Sequence, residues 1–511
     1  LYLQQDYELI LRITRRERGN EMAKTVAKKK EITISSKKQV ENLFQKEVNR
    51  IFGIQKENRW KIANTTANQR IEKLKKFKSQ VEKYSQDLRD AMFKDFRKSP
   101  QEVDLTEIMP VISEIKDAIL HLKSWMRPVR VGTPLTLFPS SSQIIYEPKG
   151  LILIISPWNY PFHLIGTPLV AAIAAGNCTI IKPSNNTKHT AAVTKKMLAE
   201  IFDENEVYVS ESDRDTATAL LEKPFDHIFF TGSTSVGITI MEAAAKNLTS
   251  VTLELGGKSP VIIDESVDMD DTTAKVVWGK VLNGGQTCVG VDYVLVHESK
   301  YVEFIESCKA QVKKFYGQSA EDWHTTPDFC RIINDKNFER LQETVKSSIK
   351  QGAKLELGGE FKKEERYISP TILSNVTLES PVMMEEIFGP ILPVMSYKTL
   401  DEAIAIVQGK NKPLSLYIFS DNNETIEKIL KNTSSGGVVI NGVVAHLGNP
   451  ELPFGGVNHS GIGNYHGHFG FKAFSHERAV LKVSKLTLLR MLFPPYTKTT
   501  KAFVDFMTNY L

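Results

Sequence analysis

From Leu151 to Leu255 the chain alternates short, wholly apolar runs with helix-length amphipathic runs. Leu151–Ile155, Cys178–Ile181, Val207–Val209, His227–Phe230 and Val251–Leu255 read as strands. Pro168–Ala175, Thr190–Ile201, Thr216–Glu222 and Val236–Lys246 read as the helices between them. Strands that are apolar on both faces belong in a parallel sheet covered on both sides, joined by right-handed crossovers. A second alternation follows from Ser259 to about Ile440. Its strands are Pro260–Ile263, Tyr293–Val296, Ile391–Met395, Ser415–Ile418 and Gly437–Ile440. Helices fall near Met269–Leu282, Tyr301–Tyr316, Asn337–Gln351, Leu400–Val407 and Glu424–Lys431. The fold class is therefore α/β, with two doubly wound domains.

The flanks are different. Residues 37 to 127 show apolar positions three and four apart, such as Val40, Leu43, Phe44, Val48 and Ile51, which predicts helices with a charged, solvated outer face. Gln143–Tyr146 is strand-like, the segment 147–150 is a turn, and Ala479–Val483 is a strand before a helix-tending end. The chain starts at Leu1, and Met22 would make a sensible start. Residues 1–36 are read as an extension, with 1–21 expected to be foreign to the native chain or disordered.

The loop Asn283-Gly284-Gly285-Gln286-Thr287-Cys288 joins a predicted helix to a predicted strand. Glycines there let a ligand approach the backbone closely. A lone cysteine is most often a small buried hydrophobe. Here it has a companion in Glu254, a carboxylate at the end of an apolar strand, where burial raises its pKa toward the range of a general base. A nucleophile and a poised base suit covalent catalysis at a carbonyl. Asn159, in the rigid loop Ser156–Phe162, can donate to a developing oxyanion. The turn Thr231-Gly232-Ser233-Thr234-Ser235-Val236-Gly237 opens a helix after a strand and can hold a phosphate. Its spacing is neither the usual dinucleotide fingerprint nor a P-loop. Lys182 and Ser184 stand at another strand end of the same sheet, where a ribose hydroxyl would lie.

Composition excludes several alternatives. A net charge of +5 over 511 residues calls for neither nucleic acid nor a membrane surface. No run of 18 apolar residues exists to span a membrane. The four cysteines are too sparse for a disulfide framework and fit a reducing, cytoplasmic compartment. No metal-ligand spacing is present, so no metal is expected.

These motifs together resemble the aldehyde dehydrogenase family. The match runs from Pro-Trp-Asn-Tyr-Pro at 157–161 through Lys-Pro-Ser at 182–184, Phe-Thr-Gly-Ser-Thr at 230–234 and Glu-Leu-Gly-Gly-Lys at 254–258. It continues through Gly-Gln-Thr-Cys at 285–288 and Glu-Glu-Ile-Phe-Gly-Pro at 385–390 to Pro-Phe-Gly-Gly at 453–456. Val131–Leu135, Asp292–Leu295, Ser460–Gly467 and Phe493–Thr497 look like its class-three and fatty-aldehyde branch. The resemblance implies NAD(P)-dependent oxidation of a medium- or long-chain aliphatic or aromatic aldehyde to the acid. Cys288 would form a thiohemiacetal and then a thioester, Asn159 would hold the oxyanion, and Glu254 would activate water. Lys182, Ser184, Asn185, Gly232, Ser233, Val236, Gly237, Glu386 and Phe388 would bind NAD and/or NADP. Many NAD-preferring relatives carry Glu where this chain has Asn185, so NADP is expected to be accepted. A CoA-acylating enzyme and a non-catalytic scaffold of the same fold are the alternatives. The implied layout is a helical region and NAD(P)-binding domain at 37–255 and a catalytic domain at 256–440. The segment 441–511 then returns to the first domain. Residues 133–150 and 476–485 would form a small β oligomerisation arm, which points to a homodimer.

Overall fold

The computed structural model describes residues 44–486 and 488–510, so the predicted extension lies outside the described residues. Its centre is two open sheets. The first has six strands in the order Gly461–Ile462, Ser250–Glu254, His227–Thr231, Leu151–Ile155, Cys178–Lys182, Val207–Val209. Five run parallel, and Gly461–Ile462 caps the edge antiparallel to Ser250–Glu254. Leu151–Ile155 is bonded on one side to Cys178–Lys182 and on the other to His227–Thr231, so strand order reverses there. Ligands of such sheets bind at the carboxyl ends of the strands flanking the reversal.

The second sheet has seven strands in the order Lys354–Leu357, Thr371–Ser374, Ile391–Tyr397, Tyr293–His297, Pro260–Ile263, Ser415–Phe419, Gly437–Ile440. Six are parallel and Lys354–Leu357 is the antiparallel edge. The strands Leu151–Ile155, Cys178–Lys182 and Ser415–Phe419 are buried along their whole length, as apolar runs in a two-sided sheet must be.

The helix over 44–63 packs on the first sheet, while Ala67–Lys83, Ser85–Phe96 and Met109–Trp125 pack on the helices His163–Ala175 and Lys188–Ala199 that cover it, with a π-turn at Asp104–Ile108. The arm is a three-stranded antiparallel sheet of Val129–Val131, Ser141–Pro148 and Ser475–Lys482. Strand pairing starts at Val129, and a 3₁₀ turn at Leu135–Leu137 separates the first two strands, because Pro134 and Pro139 deny the ladder its N–H donors. After the arm come a 3₁₀ turn at Leu488–Leu492 and a helix at Lys498–Tyr510.

Candidate active site

The loop bearing Cys288 begins where the helix Met269–Val281 stops. Asn283, Gly284 and Gly285 take φ values of 55°, 62° and 73° in succession. Asn and Gly are the residues that enter this left-handed region at least penalty. Gly285 is required on space as well, since a Cβ there would lie 2.2 Å from the Gly389 carbonyl oxygen. Gln286 then stitches the loop down. Its amide donates to the Asn283 and Arg331 carbonyls at 3.0 and 3.1 Å, and its oxygen accepts the Ile333 N–H at 3.0 Å. The Asn283 amide donates to the Asn159 carbonyl at 2.9 Å, which ties the cysteine loop to the Asn159 loop.

Asn159 is buried, and its side-chain amide donates to the Gln286 carbonyl at 3.1 Å. That bond uses one amide hydrogen and orients the group beside the cysteine loop. Cys288 itself is half-buried and lines a cavity of about 290 Å³. The wall is mostly apolar, with Leu105, Met109, Leu164, Trp278, Leu447 and Phe454 prominent. Burial, then the charges of Glu386 and Glu254, push the Cys288 thiol up to about 12. Sulfur is therefore held mainly as a thiol at neutral pH, and its thiolate fraction grows tenfold per pH unit. Iodoacetamide labelling of Cys288 without nucleotide is expected to accelerate steadily with pH and show no plateau below about pH 10. A plateau near neutrality, read by peptide mass spectrometry, would contradict this.

Glu254 ends the strand Ser250–Glu254 and is buried. Neither carboxylate oxygen has a hydrogen-bond partner among the described residues. Burial alone holds its pKa well above the usual carboxylate range. Its charge reaches Cys288 and Tyr465, and Tyr465 lines the cavity although Glu254 does not. The sulfur is thus shared between an apolar cavity and a region holding two carboxylates.

Glu386 is the second of these. Burial and then Asp292 raise it to about 8, against the Gly257 N–H, Lys258 and Arg340. Its oxygens fill the place of a Cβ on Gly256, at 2.2 and 2.5 Å from that position. Lys258 pairs with Asp292 and donates to the Val382 and Glu385 carbonyls, and Asp292 accepts the Ile387 N–H at 2.8 Å. These bonds fix the 385–388 loop. Phe388, at φ 53°, meets the Trp158 ring edge-on at 5.3 Å.

The remaining sequence candidates lie along the carboxyl ends of the first sheet. Lys182 is buried, its pKa is lowered by burial, and its ammonium donates to the Ser212 carbonyl at 2.8 Å. Ser184 is buried and accepts the Asn186 N–H, while Asn185 is exposed. Gly232 donates to the Glu254 carbonyl at 3.0 Å. Ser233 precedes the helix Thr234–Ala245, and its hydroxyl leaves the first-turn N–H groups uncapped, turning instead to Ser235. Val236 is exposed. Gly237 is buried against Leu255, which a Cβ would meet at 2.8 Å. Uncapped N–H groups at a strand-order reversal, with the unpartnered Glu386 Oε1 nearby in the site, fit a dinucleotide.

Sequence reasoning passed over Lys98, Glu102, Glu107, Tyr160 and Thr287. Lys98 and Glu107 are fully buried as an ion pair at 2.9 Å, in a stretch read as the solvated face of helices. Glu102 accepts the Asn283 N–H at the start of the cysteine loop. In sequence these look like ordinary helix-surface charges. Only Pro100, as a first-turn helix residue, marks the place.

The family model for the aldehyde dehydrogenase family matches residues 19–480. The chain belongs to the aldehyde dehydrogenase family. It is 44% identical over 413 residues to aldehyde dehydrogenase family 3 member B2 of Mus musculus, covering 80% of this chain and 84% of that one. It is 41% identical over 412 residues to the dimeric NADP-preferring aldehyde dehydrogenase of Mus musculus, covering 81% and 89%. A solved structure of the substrate-bound state of Staphylococcus aureus AldH is similar, with a TM-score of 0.86 and 41% identity over 90% of this chain and 99% of that one. The expected class-three branch and α/β fold are thereby established, and this aldehyde dehydrogenase is an oxidoreductase acting on aldehydes. Among the described residues no helix is long and apolar enough to cross a membrane.

Proposed function

We propose that this enzyme oxidises medium- or long-chain aliphatic or aromatic aldehydes to carboxylic acids, using NAD or NADP. The observation that carries the reading is a thiol on the wall of an apolar cavity, acted on by a buried carboxyl with no partner of its own.

Cys288 adds to the aldehyde carbon. The thiol proton passes to solvent water, the S–C bond forms as the carbonyl π bond breaks, and the carbonyl oxygen becomes an oxyanion. The free amide hydrogen of Asn159 and the Cys288 N–H receive that charge. A nicotinamide nucleotide held by Lys182, Ser184, Asn185, Gly232, Ser233, Val236, Gly237, Glu386 and Phe388 would supply the hydride acceptor. The Cys288 thioester that remains is attacked by water, and Glu254 takes the water's proton. Burial keeps the Glu254 carboxyl largely protonated, so its ionised fraction acts, as a base strengthened by the raised pKa and with no ion pair to break first.

Substrate length should register directly. Each methylene buried in the apolar cavity is worth roughly 0.8 kcal/mol, or about fourfold in kcat/KM. In a panel of aldehydes run with each nucleotide, kcat/KM is expected to climb by that factor until the cavity is full. A flat profile from two to eight carbons would sink the substrate assignment. The exposed amide of Asn185 places no charge against a 2′-phosphate. NADP is therefore expected to serve within about tenfold of NAD, and Asn185→Glu to lower NADP use at least tenfold relative to NAD. A wild-type preference for NAD above ~100-fold would refute this, since that is about 2.7 kcal/mol of discrimination. The arm strands leave open edges suited to a second copy, so a homodimer is the proposed assembly, testable by sedimentation.

A further inference from the structure

Behind the cysteine loop lies a chain of contacts with no substrate-facing charge. The Lys98 ammonium is completely buried. It donates to Glu107 Oε1 at 2.9 Å and stands 4.2 Å from the centre of the Tyr160 ring. The other Glu107 oxygen accepts the N–H groups of Phe162 and His163 at 3.1 and 2.8 Å, which pins the far side of the Asn159 loop. The Tyr160 hydroxyl is 2.5 Å from the Thr287 hydroxyl, and Thr287 Oγ1 donates onward to the Leu282 carbonyl at 3.4 Å. Thr287 is the residue before Cys288.

A buried ammonium is destabilising unless it is paired, and removing one partner of such a pair leaves an uncompensated buried charge. The pair here does more than neutralise itself. One member grips a ring by its face, an attraction that strengthens when desolvated. The other grips two backbone N–H groups. Both grips end on the loop that carries Asn159, and the Tyr160 hydroxyl passes one of them on to Thr287 in the Cys288 loop. The π-turn at Asp104–Ile108 brings Glu107 inward to make this possible, as such bulges often do at functional sites.

We propose that Lys98 and Glu107, acting through the Tyr160–Thr287 hydrogen bond, are positioning residues for the Cys288 sulfur. The inference rests on the reading of Cys288 as the nucleophile. The Lys98 charge fixes the phenol, the phenol fixes Thr287, and Thr287 sets where the sulfur stands relative to the Asn159 amide.

The test is a double-mutant cycle of Tyr160→Phe and Thr287→Val. The readout is the single-turnover rate of reduced nucleotide formation, normalised to the titrated Cys288 thiol. A merely structural role would lower the melting temperature and the titratable thiol without changing that normalised rate. Each single variant is expected to slow it tenfold or more. The double variant should be no slower than the worse single one, because all three lack the same bond. Lys98→Met should slow it tenfold in the wild-type background and less than twofold when Tyr160 is already Leu. Multiplicative losses of a hundredfold in the first cycle, or a normalised rate within twofold of wild type in any single variant, would overturn the proposal. Should Lys98→Met fail to fold, the Tyr160–Thr287 cycle decides alone. Failure to trap any acyl group on Cys288 by rapid-quench mass spectrometry, with nucleotide still being reduced, would instead strike down the nucleophile reading, and this proposal with it.

Discussion

Cys288→Ala is expected to abolish aldehyde oxidation, with kcat falling by about 10⁴-fold or more, the scale seen when a covalent nucleophile is removed. The alanine keeps the backbone N–H that receives the oxyanion, and the neighbouring glycines and Gln286 hold the loop without help from sulfur. Folding should therefore survive, and the nucleotide should still bind and quench protein fluorescence. What disappears is the bond to carbon. Retention of more than about 1% of the wild-type rate would mean that hydride can leave a hydrated aldehyde without covalent help, and that the thiol is a bystander.

The second large effect falls on a different step. Glu254→Gln should still release one equivalent of reduced nucleotide per site and then stall, with steady turnover reduced by roughly 10²–10⁴-fold, the usual contribution of a general base. Rapid-mixing absorbance would show the burst, and mass spectrometry would find acylated Cys288. Adding CoA distinguishes the acylating alternative. Turnover restored by CoA, with an acyl-CoA product in the wild type, would displace the hydrolytic reading. The variant also carries a stability signature with a definite sign. The Glu254 carboxyl has a folded pKa raised far above its unfolded value near 4.5, so the folded state keeps a proton that the unfolded state sheds. Wild-type stability is full below that unfolded value and is lost as pH rises toward the folded pKa. Glutamine has no proton to lose. The variant should melt with the wild type near pH 4.5 and above it near pH 8. Equal melting temperatures across that range would place the side chain in water.

The framework was readable because its signals are local. Tyr301–Tyr316 was predicted with its observed ends, since its apolar spacing is regular and Gly317 stops it. The helix predicted from Pro168 starts at His163 instead. Proline usually opens a helix, but here Pro168 sits inside one, where complete burial outweighs the missing N–H. The edge strands Lys354–Leu357 and Gly461–Ile462 were missed because one is half-exposed and the other is two residues long. Cys288, Glu254 and Asn159 stood out because each interrupts an apolar or glycine-rich stretch. Lys98 and Glu107 did not. A charge on a helix looks the same in sequence whether water or another helix covers it, and only the burial of Lys98 over Tyr160 and of Glu107 against the Phe162 and His163 N–H groups separates the two cases.

The crossing between the two sheets takes place at Leu255–Ser259, directly after Glu254, where the Glu386 carboxyl occupies the space a side chain on Gly256 would need. If Glu254 and Glu386 act as proposed, hydrolysis and nucleotide grip meet at this crossing, and a methyl group at position 256 would disturb both at once. Asn185 stands exposed just past the strand Cys178–Lys182. If it sets nucleotide preference as proposed, one pyridine nucleotide can be exchanged for the other at that edge with Glu254 unchanged.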